Sequence, residues 1–378
     1  MKIALLVDQF FRRSGVGRYT RRLVSHLITQ RSDIEYTLLY PGHGGANQIQ
    51  HAYPELSVIN IGDRRLIYPC WHLLGRPKLE RLMGSVDLVH VLSGSVHVPT
   101  DFPLVHTIHD LASWRRPQDY PLRRAMFKRK MLLKLAPNPR ANFISISDAT
   151  RTDLIELLDI SPGVIHVVPN GLDHDRFQVL PDEAAKQIRS SLALPPLFFL
   201  FVGMPSPRKN IRAILRAFEP LADTRLKGVS LVFAGASPDK FRKEICRSVG
   251  RSIEESRTRV LGYVSDEELT SLYGAALALV FPSHYEGFGL PLIEAMACGC
   301  PVITSNVSAL PEIADDAALL VPPNDTTAIG EAMCRMAASP GLRLELRQRG
   351  FDRASEFSWE RTARETAAVY SWAIDEHD

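Results

Sequence analysis

The chain has 378 residues, with 45 Lys+Arg, 42 Asp+Glu and a formal charge of +3. Its 45% hydrophobic and 23% charged residues are the composition of a soluble globular protein large enough for two or three domains, which excludes a disordered chain, a collagen-like fibre and a disulfide scaffold. The near-neutral total conceals a split: residues 1–150 hold 21 Lys+Arg against 11 Asp+Glu, a net +10, and residues 151–378 hold 24 against 31, a net −7.

The first apolar run, Ile3 to Val7, is closed by Asp8. It is too short for the apolar core of a secretory signal, and no window approaches the uninterrupted length of a spanning helix. The five cysteines (Cys70, Cys246, Cys298, Cys300, Cys334) are odd in number and mostly scattered, and they read as reduced thiols of a cytoplasmic protein. Cys298-Gly-Cys300 is too short for a zinc knuckle and has no second pair, so buried thiols are expected there and no metal site.

Along the chain, residues 2–8 read as a strand, followed by a loop and a helix over 16–29 with Tyr19, Leu23, Leu27 and Ile28 on one face. Further strands are expected at 34–40, 56–61, 86–92, 104–109, 142–147 and 164–168. Several are apolar almost throughout, as strands covered on both faces are. Residues 169–196, bounded by Pro169-Asn170-Gly171 and Pro195-Pro196, break the pattern and read as a connection. The alternation restarts with strands at 197–203, 229–234, 277–281 and 301–304, and helices at 210–222, 265–275 and 291–298. The capping box Ser265-x-x-Glu268 opens the second of these helices. The last 50 residues have a helical pattern throughout. Strands alternating with helices imply parallel sheets. The expected class is α/β: two Rossmann-like, doubly wound domains facing across a cleft. The expected boundaries are 1–175, a connection at 176–196, 197–357, and a last helix from 358 that returns to the first domain.

Three motifs carry chemistry. Ser14-Gly15-Val16-Gly17-Arg18 lies between the first strand and the first helix. Glycines there bring backbone N–H groups close to an anion at the helix start, or simply make a tight turn. Pro207-Arg208-Lys209-Asn210 follows a strand, where open α/β sheets bind ligands, and adjacent cations can neutralise a diphosphate without a metal. The third motif runs from Ser283 through Glu286-Gly287-Phe288-Gly289-Leu290-Pro291 to Glu294, Gly299 and Pro301. Pro291 and Gly299 suit the start and stop of a short helix. Glu286 is expected in the loop before it and Glu294 in its first turn. Carboxylates accept hydrogen bonds from sugar and ribose hydroxyls. An acid near a helix start also stabilises the dipole, which accounts for Glu294 but not for Glu286 with the two glycines that follow it.

The segment Ser283 to Pro301, with glutamates 286 and 294, resembles the signature of the family-4 retaining glycosyltransferases of the GT-B fold. The likeness extends through Ser14–Arg18, Thr107-Ile108-His109-Asp110, Ile165–Asp173, Val202–Ile211, Ala309–Pro323 and Phe357–Thr366, in the family's order. It implies that Arg208 and Lys209 hold the donor diphosphate, with the backbone of Gly15, Val16 and Gly17 nearby. Glu286 would bind donor sugar hydroxyls, helped by the backbone of Gly287, Phe288, Gly289 and Leu290, and Glu294 would bind the ribose. His109 would lie beside the donor sugar, with Asp110 orienting the site. The resemblance implies sugar transfer from a nucleotide diphosphate with retention and without a metal or other cofactor. A GDP-sugar is favoured as donor and a UDP-sugar is possible. Similarity to bacterial mannosyltransferases points to mannose or a 6-deoxyhexose, and to a saccharide acceptor on a lipid carrier in O-antigen or other surface polysaccharide synthesis.

The stretch 121–140 holds Arg123, Arg124, Lys128, Arg129, Lys130, Lys134 and Arg140, with no acid, beside Met126, Phe127, Met131, Leu132, Leu133 and Leu135. It reads equally as a basic amphipathic helix on the anionic inner face of the cytoplasmic membrane and as a domain helix with a solvated charged face. Two other readings remain: a nucleotide-sugar epimerase on the same architecture, or a non-catalytic binding subunit of a polysaccharide assembly complex. No nucleic-acid reading motif occurs, so nucleic acid is not an expected partner. Asp173-His174-Asp175 is formally a D-x-D metal motif but falls in the expected connection.

Overall fold

Two parallel sheets carry the chain, in a computed structural model that describes residues 1–31, 33–93, 96–135, 138–249 and 257–376, apart from the side chains of residues 124, 128, 182, 185 and 244–249. The first sheet contains β1 (Lys2–Leu6), β2 (Glu35–Tyr40), β3 (Ser57–Asn60), β4 (Leu88–Val91), β5 (Leu104–Ile108), β6 (Ala141–Ser145) and β7 (Ile165–Val167). Their order is β3-β2-β1-β4-β5-β6-β7. The second contains β8 (Leu197–Val202), β9 (Val229–Ala234), β10 (Thr258–Gly262), β11 (Ala278–Phe281), β12 (Val302–Ser305) and β13 (Ala318–Val321), in the order β10-β9-β8-β11-β12-β13. Each order reverses once, between β1 and β4 and between β8 and β11. Such reversals open a crevice beyond the carboxyl ends of the two strands involved.

By contact, the chain divides into two compact units, Met1–Gly171 with Trp359–Asp378, and Leu172–Ser358. The stretch read as a connection groups with the second unit, where its helix Asp182–Ser191 packs on the helix Asp266–Ala275. That second helix opens with the expected capping box between Ser265 and Glu268.

In the first unit, strand alternation sorts the core into two layers. Ile3 and Leu5 of β1 face a cluster with Tyr19, Leu23 and Leu27 of the helix Gly15–Gln30. Ala4 and Leu6 face the opposite cluster with Ile67 and Trp71 of the helix Arg64–Leu74. The period of two along a strand produces this division. The final helix, Trp359–Asp375, belongs to the first cluster through Trp359, Ala363, Ala367 and Tyr370. These positions fall on one helical face, and two alanines there let the helix lie close to Gly15–Gln30.

Sequence patterning missed β10 and β13, the two edges of the second sheet. β10 begins Thr258-Arg259 and is mostly half-exposed, and β13 has four residues of which one is buried. β10 lacks the all-apolar run of a central strand, whereas β13, Ala318-Leu319-Leu320-Val321, is apolar throughout but only four residues long. In the middle of this sheet, Phe201 stacks on Phe281 at 6.1 Å and meets Phe233 and Phe241. Cys298 and Cys300 are buried free thiols; burial pushes the Cys300 thiol up to about 12.

Trp359 is 2% exposed. Trp359→Ala should destabilise the protein by about 3–5 kcal/mol, as loss of a large buried ring does, read as a lowered urea midpoint; an unchanged midpoint would contradict the packing assigned to the last helix.

Candidate active site

In the second unit, the loops after β8 and β11 carry the expected donor residues, because these strands flank the reversal in strand order. After β8 the chain turns at Gly203 (φ +137°), makes a single tight turn over Pro207–Lys209 and passes through Asn210 in the left-handed region (φ +56°). The Asn210 side chain donates to the carbonyls of Pro282 (3.0 Å) and Pro323 (2.7 Å). These bonds tie the basic turn to the segments after β11 and β13. The N–H of His284 adds a bond to the Arg208 carbonyl at 2.8 Å.

Arg208 Nη1 donates to the Tyr285 carbonyl and to Glu286 Oε2, both at 2.6 Å. Lys209 Nζ lies 2.7 Å from Glu286 Oε1 and 4.3 Å from the centre of the Phe281 ring. Glu286 is only 7% exposed. Burial by itself would raise its carboxyl, but the charges and hydrogen bonds of Arg208 and Lys209 outweigh it and bring the carboxyl down to about 2. Glu286 and the two cations, read separately from sequence, therefore form one ion cluster.

The backbone of Glu286 is also held. Its N–H donates to Ser308 Oγ at 2.8 Å, and the Ser308 hydroxyl donates back to its carbonyl. Ser308 has φ +60°, a conformation uncommon for a residue with a side chain. Sequence reasoning missed Ser308 and gave Asn210 no role beyond its place in the basic motif, since neither position requires its role by residue type alone.

Gly289, at φ +109°, precedes the helix Leu290–Ala297. A Cβ there would lie 2.8 Å from the tip of Leu310, and the positive φ favours glycine. Phe288 is buried against Phe357, with ring centres 5.7 Å apart. Glu294 was expected in the first turn of this helix. It is the fifth residue, because the helix starts at Leu290, one residue before Pro291. Glu294 is 3% exposed and accepts a hydrogen bond from Tyr273 OH at 3.1 Å. Tyr273 is a further residue that the sequence did not single out.

In the first unit, the Ser14 hydroxyl caps the helix Gly15–Gln30 by accepting from Gly17 N–H at 3.3 Å. A Cβ on Gly17 would lie 2.0 Å from the Arg12 carbonyl oxygen. This glycine is thus required by close backbone packing, and its N–H serves the helix cap. Gly15 and Val16 form the first helical residues.

His109 is half-buried after β5. Its Nε2–H donates to the Leu92 carbonyl at 2.8 Å, and its ring meets Tyr19 edge-on at 4.8 Å. Burial lowers its pKa, opposed by the Leu92 carbonyl and by Asp110 and Asp8. The neutral ring therefore keeps Nδ1 as an acceptor. Asp110 Oδ1 accepts from Ala112 N–H at 3.1 Å. Behind His109 runs a buried chain unseen in the sequence: Tyr370 OH meets His90 Nδ1 (2.7 Å), His90 Nε2 meets Thr107 Oγ1 (2.8 Å), and Thr107 Oγ1 meets Tyr19 OH (3.0 Å).

The basic stretch forms the helix Leu122–Leu133. Arg123, Lys130 and Lys134 are exposed. Arg129 was expected to face outward; it is turned inward, donating to the carbonyls of Ser113 (3.0 Å) and Trp114 (3.2 Å) with its guanidinium over the Trp114 ring. The side chains of Arg124 and Lys128 lie outside those described. In the D-x-D segment, His174 donates from Nε2 to the Phe357 carbonyl at 2.8 Å, and the Asp173 carbonyl accepts from the N–H groups of Arg176 and Phe177.

The ion cluster predicts a pH signature. The Glu286 carboxyl titrates lower in the folded chain than in the unfolded one, so its stabilisation is complete above the ordinary carboxylate range of about 4.3 and is lost as pH falls towards 2. Glu286→Gln should flatten the fall of unfolding free energy with acid in that window, measured by urea titrations; an unaltered slope would contradict the ion cluster.

Comparison with known proteins agrees with this architecture. Residues 13–176 match the family described as Glycosyltransferase Family 4, and residues 183–353 match Glycosyl transferases group 1. The O-antigen chain mannosyltransferase B of Escherichia coli is 30% identical over 383 residues, spanning 94% of this chain and 96% of that protein. Among solved structures, sucrose-phosphate synthase from Thermosynechococcus elongatus superposes with a TM-score of 0.76 at 23% identity over 100% of both chains. The Anabaena protein HepE, in complex with UDP and glucose, superposes with a TM-score of 0.75 at 17% identity over 98% of this chain and 99% of that one. The chain belongs to the group 1/family 4 glycosyltransferases of the GT-B fold, retaining hexosyltransferases that draw on nucleotide-sugar donors.

Proposed function

We propose that the chain transfers a hexose, mannose or a 6-deoxyhexose, from a GDP-sugar to a saccharide acceptor on a lipid carrier, in the synthesis of O-antigen or another surface polysaccharide. The observation that carries this reading is the end-to-end similarity to an O-antigen chain mannosyltransferase, 30% identical over 94% of the chain.

The residue chemistry supports it. The leaving group is a nucleoside diphosphate whose charge grows as the bond to the sugar breaks. Arg208 and Lys209, fixed side by side, stabilise that charge. Glu286 receives hydroxyls of the donor sugar, and Glu294, oriented by Tyr273, receives those of the ribose. Gly287, Phe288, Gly289 and Leu290 contribute backbone groups. Neutral His109 offers Nδ1 to a substrate hydroxyl, and Asp110 shapes its turn. In the retaining step the anomeric carbon–phosphate oxygen bond breaks, the acceptor oxygen bonds the same face of the sugar, and its proton passes to the departing phosphate oxygen.

Lys209→Ala and Glu286→Gln should each lower kcat/KM by about a hundredfold or more, the scale on which charge-stabilising groups act. Near-normal transfer by both variants would overturn the site. The donor is tested by thermal shift and slow hydrolysis across GDP-, UDP-, ADP- and dTDP-sugars. Stabilisation and hydrolysis with GDP-mannose are expected; a response confined to UDP-sugars would overturn the donor assignment and leave the transferase reading in place.

A further inference from the structure

Exposed apolar side chains are not spread evenly over this protein. Among the described residues, seven of the sixteen large exposed apolar side chains lie on two helices of the first unit, Arg64–Leu74 and Leu122–Leu133. On the first helix Leu66 (69% exposed) and Leu73 (75%) stand seven residues apart, on one face, and Leu74 (71%) is exposed as its last residue. That helix buries its other face through Ile67 and Trp71. On the second, Leu122, Met126 and Leu133 share a face with Lys130, flanked by Phe127 and Arg123. Its inner side is filled by Ala125, Met131 and Leu132. Each helix thus has an apolar outer face in addition to the one that anchors it in the domain.

The two faces meet. The His72 ring packs edge-on to Phe127, with centres 5.5 Å apart, and Lys134 Nζ donates to the His72 carbonyl. The residues next to His72 are Leu73 and Leu74. The charges around them have one sign: no Asp or Glu occurs between Asp63 and Glu80, or between Asp119 and Asp148. Arg65, Arg76, Arg123, Lys130 and Lys134 are exposed. A contiguous apolar patch in an ordinary aqueous surface is a liability unless something covers it. Leucine and phenylalanine tips set among cations match the two layers of an anionic bilayer, acyl chains below and phosphate headgroups above.

We propose that the joined outer faces of the helices Arg64–Leu74 and Leu122–Leu133 seat the protein on an anionic lipid bilayer, with Leu73, Leu74 and Phe127 entering the acyl boundary and Arg123 and Lys130 meeting the headgroups. This goes beyond a basic helix acting alone: the hydrophobic wedge belongs largely to a helix whose sequence carries no such signal. The surface involves none of the donor-site residues, so its test and that of the transfer reaction fail separately.

The full chain is sedimented with vesicles of phosphatidylcholine, with and without phosphatidylglycerol. Binding to the anionic vesicles at low salt is expected, weakened by added salt. The double variant Leu73→Ser/Leu74→Ser should lose at least about tenfold in partitioning, given the area each leucine buries. Arg123→Ser/Lys130→Ser should weaken binding and reduce its salt dependence. Both variants should keep the wild-type unfolding temperature and donor hydrolysis, which shows that the fold survives. Absence of binding, equal binding to neutral vesicles, or binding untouched by both variants overturns the proposal. So does a dimer in solution that the leucine variant dissociates, because a second copy would then be what covers the patch.

Discussion

A carboxylate that is 7% exposed cannot stay ionised without close positive charge, and Glu286 has two cations within hydrogen-bond distance. That requirement organises the second unit. Arg208 and Lys209 must arrive on one turn, Glu286 on another, and both turns must be held rigidly enough for contacts at 2.6 and 2.7 Å. Asn210 fastens the first turn and Ser308 the second. Both adopt left-handed backbone conformations (φ +56° and +60°), a local strain that their side-chain bonds offset.

The order of strands makes this meeting possible. β8 and β11 are far apart in sequence but adjacent in the sheet, and the chain departs from them in opposite senses. Their following loops therefore open side by side. In the proposed reaction this same cluster receives the nucleoside diphosphate. Before the donor arrives, one carboxylate balances two cations, so the groups that must stabilise a leaving dianion are already oriented. Preorganised charge of this kind acts without reorganisation during the reaction.

Much of the architecture was legible in the chain. Eleven of the thirteen described strands were legible from short apolar runs, several of them apolar almost throughout as strands covered on both faces are. The two missed strands are the edges of the second sheet: in β10 Thr258 and Arg259 interrupt the apolar run, whereas β13 is apolar throughout but only four residues long. Glu286, Glu294, Arg208 and Lys209 were legible because carboxylates and adjacent cations beside glycines are chemically conspicuous. Their supports were not. Tyr273, Ser308 and Asn210 are ordinary residue types whose roles arise only when distant segments meet. Gly17 was legible as a glycine but not in its purpose, since the Arg12 carbonyl it must accommodate is brought near by folding. The outer leucines of the helix Arg64–Leu74 were hidden for a related reason: an apolar residue in a helical pattern is ordinarily taken as core, and only the fold shows which face is already filled.

The central claim is that the cluster of Arg208, Lys209 and Glu286 is the donor diphosphate site. A crystal structure of the protein with GDP-mannose or GDP tests it most directly. The account predicts the diphosphate on the Arg208 and Lys209 side chains, with ribose hydroxyls on Glu294 and the Arg208–Glu286 contact lengthened or broken. A nucleotide bound elsewhere, with the 2.6 Å Arg208–Glu286 contact intact, would contradict it.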